Sequence, residues 1–107
     1  MNEISEAFGK TVAEIPVPST SKVYEKTLFS MLTPDVESEL IRLEAPLGEE
    51  GKSVDTAVLF GIEAHVCILQ TTKDLISRGY NVHIVADGVS SQRPFDRAVA
   101  FEVICKL

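Results

Sequence analysis

At 107 residues, with 45% hydrophobic and 24% charged side chains, the chain has the size and balance of one globular domain. A formal net charge of −6, with no run of lysine or arginine, excludes the basic surface that nucleic acid or an anionic membrane needs. No apolar run approaches the length that spans a bilayer, and residues 1–6 carry neither a basic n-region nor an apolar h-region. A cytoplasmic, reducing location is therefore expected, with Cys67 and Cys105 as free thiols rather than a disulfide.

Residues 1 to about 20 read as irregular, because Pro16 and Pro18 forbid a central strand; Val12 and Ile15 are expected to make short extended contacts. Ser21 to Lys26 suggests a short strand with Val23 on its apolar side. Thr27 to Leu32 is apolar but aperiodic and reads as a loop against the body of the fold. Thr33-Pro34-Asp35 is a helix opening, with a hydroxyl cap, proline at the first helical position and acid in the first turn. Val36, Leu40, Ile41 and Leu43 supply that helix's apolar face, and it stops before Pro46. Leu47 to Ser53 reads as a surface loop.

Asp55 to Gly61 is the clearest strand, and its continuous Val58-Leu59-Phe60 run predicts burial on both faces. The chain breaks at Gly61 and resumes as a helix to about Arg78, closed by Gly79 where left-handed backbone is wanted. Asn81 to Ala86 gives a second strand. Strand, helix and strand in this rhythm predict a βαβ unit with parallel strands. Asp87 to Ser91 is expected just beyond the carboxyl end of the second strand, on the same edge as Cys67. A last helix starts near Pro94, with Ala98, Phe101 and Cys105 on one face and Ile104 flanking. A sheet with two convincing strands and one short one is thin. It belongs to a larger architecture or borrows sheet from a partner, either a strand of another chain or a second copy.

The strand-to-helix turn drops Cys67 near a helix N-terminus, the edge where open α/β sheets place their ligands. A helix N-terminus favours thiolate, so Cys67 reads as a nucleophile; the competing reading is a small buried hydrophobe. Lys26 is open between a site charge and an ordinary solvated one, and Phe29 between core and substrate platform. His65 lies two residues from Cys67 and does not share its helix face, which disfavours a Cys–His dyad. No C-x-x-C pair supports dithiol chemistry, and two histidines with two cysteines show no metal-ligand spacing, so no metal and no cofactor are expected.

Gly61-Ile62-Glu63-Ala64-His65-Val66-Cys67, then Val85-Ala86-Asp87-Gly88, with Lys26-Thr27-Leu28-Phe29-Ser30-Met31 upstream, resembles the isochorismatase-like cysteine hydrolase family, and within it the eukaryotic isochorismatase domain-containing proteins. Gly9 to Ile15 fits the stretch before the lysine, so the resemblance covers essentially the whole chain. It implies an α/β, Rossmann-like fold of mostly parallel strands with flanking helices. Residues 1–107 would be a single domain of that kind, incomplete at both ends, lacking the first strand and the last strand with its helix. It implies a hydrolase with Cys67 as nucleophile and Lys26 as its partner. A non-proline cis peptide between Ile62 and Glu63 would turn the Glu63 and Cys67 N–H groups into an oxyanion hole. Phe29 and Ala64 would border the substrate pocket. The substrate would be a small molecule: an amide, an ester or a vinyl ether. The family's third catalytic group, an aspartate, would stand at the end of the first strand, upstream of these motifs, whereas Asp87 matches a different family position. A chain without that aspartate is expected to have weakened or lost turnover, and the alternative is a catalytically silent relative acting as an interaction module.

Overall fold

A computed structural model describes residues 9–45 and 53–107. Residues 1–8 of the expected irregular segment and most of the expected 47–53 loop lie outside the described residues. Residues 9–20 form no helix or strand, as expected, but Val12 and Ile15 are exposed and joined only by a turn. The first regular element is helix α1 (Pro34–Glu44), opened by proline at its first position and by Asp35 and Glu37 in its first turn. Both features satisfy the N-terminal end of a helix electrostatically and sterically. Thr33 is the N-cap residue, but its hydroxyl makes no capping hydrogen bond and is a buried oxygen without a partner among the described residues, contrary to the expected cap. Leu40 is half-buried and packs toward Leu75 and Tyr80, whereas Ile41 is 59% exposed and leaves the predicted apolar face.

Strand β1 (Thr56–Ile62) leads into a π-helical turn (Ala64–Ile68), which runs straight into helix α2 (Leu69–Ser77). Gly79, at φ +86°, closes the helix as its sequence position predicts. Strand β2 (Asn81–Ser90) follows, then helix α3 (Pro94–Cys105). β1 and β2 pair in parallel, from Thr56 opposite Asn81 to Ile62 opposite Ser90. The expected βαβ unit is present, in an α/β fold.

Other elements also differ from expectation. Residues 21–26 form no strand, and Val23 is 71% exposed. β2 does not end at Ala86 but continues to Ser90, with an irregularity in which β1 advances two residues while β2 advances five. Arg97 stabilises this excursion: its guanidinium donates to the carbonyls of Ala86 and Val89 and lies 4.5 Å over the Phe101 ring. The buried face of α3 is also rotated from the prediction. Ala100 is 1% exposed and Phe101 and Ile104 are half-buried, while Ala98 and Cys105 face outward.

The core has two clusters that meet at Leu59. Ala64, Ile68, Val89 and Ala100 form one, and Leu32, Leu75 and Tyr80 the other. Both lie on the same side of the sheet. The opposite side is uncovered: Val58, Phe60 and Ile62 are 60–73% exposed, so β1 is one-sided among the described residues rather than buried on both faces.

Candidate active site

The site is assembled where β1 hands over to α2. Gly61 takes φ +122°, a backbone region closed to other residues, and the Ile62–Glu63 peptide bond is cis. The carbonyl of Glu63 then accepts from the N–H groups of Val66 and Ile68, which starts the π-helical turn. Within that turn Ala64 and Ile68 point into the core, while Cys67 stays half-exposed.

Opposite the sulfur stands Lys26. Its ammonium donates to the Leu28 carbonyl at 2.9 Å, to the Phe29 carbonyl at 3.0 Å and to Cys67 Sγ at 3.3 Å. Two carbonyls and a sulfur thus use all three donors of the ammonium. The same segment is buttressed by Ser30, whose buried hydroxyl accepts the Leu32 N–H. Lys26 and Cys67 share a cleft of about 220 Å³ with Met31, Val58, Leu59, Phe60, Ile62, Ile68 and Thr71. The lining is apolar apart from Lys26, Cys67 and Thr71, and among the described residues no carboxylate joins it. A cleft of about 430 Å³ lies at the other end of the sheet, between Glu44, Asp55, Arg78 and Tyr80. It sits at the amino ends of the strands, the side of a parallel sheet that ligands do not ordinarily use.

The residues expected around the pocket distribute unevenly. Lys26, Ile62 and Cys67 line the cleft together. Ala64 is fully buried in the core, and the Phe29 residue is 63% exposed, its carbonyl rather than its ring taking part through Lys26. Met31 and Thr71 were not predicted; the four-residue spacing from Cys67 along one helix face was a signal for Thr71, and none pointed to Met31. Glu63 turns its carboxylate away from the sulfur to accept the Gln92 N–H at 3.0 Å, and His65 Nδ1 lies 2.9 Å from Ser91 Oγ. The cis-peptide turn is thereby fastened to the segment between β2 and α3. His65 Nε2 also comes within 4.0 Å of Asp96, so the histidine faces away from any role beside Cys67.

The chain as a whole matches a known family. The model of the Isochorismatase domain covers residues 6–106. The chain belongs to the isochorismatase-like hydrolase family. It is 42% identical over 101 residues to isochorismatase domain-containing protein 1 of Danio rerio, covering 94% of this chain and 33% of that protein. To the secreted isochorismatase effector Isc1 of Phytophthora sojae it is 46% identical over 102 residues, covering 91% of this chain and 45% of that one. Among solved structures, the MAR1 ribonuclease of Caenorhabditis elegans superposes with a TM-score of 0.79 at 38% identity, covering 95% of this chain and 48% of that one. An isochorismatase-like hydrolase from Alkaliphilus metalliredigens shares the fold, with a TM-score of 0.76 at 22% identity. The isochorismatase-like chain described here thus spans between a third and about half the length of these relatives. No helix among the described residues is long and apolar enough to cross a membrane.

Proposed function

We propose that this isochorismatase-like domain acts on a small amide or ester by nucleophilic catalysis at Cys67. The observation that carries the reading is the 3.3 Å contact between the Lys26 ammonium and the half-exposed Cys67 sulfur, at the mouth of an apolar cleft. A cation beside a thiol favours the thiolate, the form that attacks. The thiolate adds to the carbonyl carbon, a C–S bond forms and the carbonyl electron pair moves to oxygen. The backbone N–H groups of Glu63 and Cys67 are assigned to hold that oxyanion. Collapse expels the amine or alcohol, which takes up a proton, and water then cleaves the thioester to release the acid and restore the thiolate.

The leaving group's proton is the weak point. No carboxylate lines the cleft among the described residues, and a positioned general acid is ordinarily worth about 10²–10⁴-fold. Turnover by the chain is accordingly expected to be slow. The test is hydrolysis of nicotinamide and of p-nitrophenyl acetate by the purified chain and by its Cys67→Ala variant. Turnover lost with the sulfur supports the reading; turnover that survives the substitution ends it.

A further inference from the structure

The segment that carries Lys26 has no strand or helix of its own, so something outside it must set where the ammonium sits. Residues 26–32 bend back on themselves through internal hydrogen bonds, from Lys26 to the Leu28 and Phe29 carbonyls and from the Leu32 N–H to Ser30 Oγ. Two hydrogen bonds reach across to the helix that begins at Ala64. Lys26 meets Cys67 Sγ at 3.3 Å, and the Met31 N–H donates to Thr71 Oγ1 at 2.9 Å. Cys67 and Thr71 are four residues apart and share a helix face, so the segment is held at two points one turn apart.

Thr71 differs from its neighbour in what its hydroxyl does. Thr72, 1% exposed, donates to the Ile68 carbonyl at 2.7 Å, a local bond within its own helix. Thr71, 2% exposed, instead offers its oxygen to a backbone amide 40 residues away in sequence. The Met31 amide is part-buried and gives its N–H to that oxygen, so removing the hydroxyl would take away its acceptor. We propose that Thr71 is a positioning residue: through Met31 it sets the separation of the Lys26 ammonium from the Cys67 sulfur. The proposal rests on the Lys26–Cys67 reading above, and its test does not require turnover.

The measurement is the rate at which iodoacetamide alkylates Cys67 at pH 7, followed by peptide mass spectrometry so that exposed Cys105 is counted separately. Lys26→Met is expected to slow alkylation roughly fivefold, the size of a partly exposed charge interaction. Thr71→Val should slow it comparably, Thr71→Ser should restore it, and Thr72→Val should leave it unchanged. In the Lys26→Met background, Thr71→Val should add nothing, because the ammonium it positions is gone. If Lys26→Met slows the reaction and Thr71→Val does not, the positioning role is overturned while the lysine reading stands. The role is likewise overturned if Thr71→Val slows alkylation equally with and without the lysine. An unchanged rate in Lys26→Met overturns both. Amide hydrogen exchange on the unmodified chain checks the geometry without any variant: protection at the Met31 N–H is expected, and free exchange there overturns the proposal.

Discussion

Gly61→Ala isolates the backbone requirement of the site from its packing. A Cβ built on Gly61 meets no atom within 4 Å, so the substitution introduces no steric clash, and whatever it costs is a cost of backbone conformation. At φ +122° the residue lies well past the left-handed helical well, in a region populated almost only by glycine. Holding another residue there costs about 1–3 kcal/mol. For a domain of this size each kcal/mol moves the melting temperature by roughly 4–8 °C, so a drop of about 4–24 °C is expected. Gly79→Ala is the companion. It too meets open space, but φ +86° lies nearer the left-handed well, and its cost of about 1–2 kcal/mol should be no greater. Thermal melts by circular dichroism, paired with the Cys67 alkylation rate, separate the two. Both variants should lose stability, but only Gly61→Ala should alter the reactivity of the sulfur, since Gly61 leads into its turn and Gly79 lies beyond the far end of α2. A Gly61→Ala protein that melts within about 1 °C of the parent, with unchanged alkylation, would refute the reasoning.

Further outcomes are expected. Leu75, 3% exposed between Leu32 and Tyr80, should cost about 2–5 kcal/mol on truncation to alanine, read as a lower denaturant midpoint; a cost below about 1 kcal/mol would show that the cluster collapses around the void. Glu39 is held down to about 2 by its hydrogen bonds to Arg42 and then Lys22, and a depressed carboxylate stabilises the fold above its ordinary value of 4.5. That contribution should fade as pH falls from 4.5 toward 2, and Glu39→Gln should flatten this part of the stability profile. Glu44, lowered by the Tyr80 hydroxyl and then by Arg78, should act in the same direction.

Most of the βαβ frame was legible because its signals are local. Pro34 and Pro94 each open a helix, Gly79 closes one, and the apolar run before Gly61 is a strand. What escaped depended on partners distant in sequence. Asp87-Gly88 carries a turn signature, yet β2 passes through it because Val89 is buried against the turn after β1 and Arg97 serves the carbonyls on either side. The face of α3 was misplaced since apolar spacing allowed two faces, and packing against Ala64 and Ile68 selected the one centred on Ala100. The exposed side of β1 was invisible to composition: Val58, Phe60 and Ile62 look like core residues wherever they stand. In the site, the motif around Gly61 and Cys67 pointed to one end of the sheet, but nothing in spacing alone could join Met31 to Thr71 across 40 positions.

The π-helical turn at Ala64–Ile68 has a consequence for how this chain can vary. A wide turn holds one residue more than an α-helical turn, and each residue of an α-helix advances the azimuth by about 100°. Deleting a single residue there would tighten the coil, leave every later position in phase with α2, and swing the sulfur about a quarter-turn off the azimuth that faces Lys26. Length in this turn is therefore constrained alongside composition: Cys67 is fixed by its contact with Lys26, Ala64 and Ile68 by their burial, and the count of residues between Glu63 and Leu69 by the azimuth.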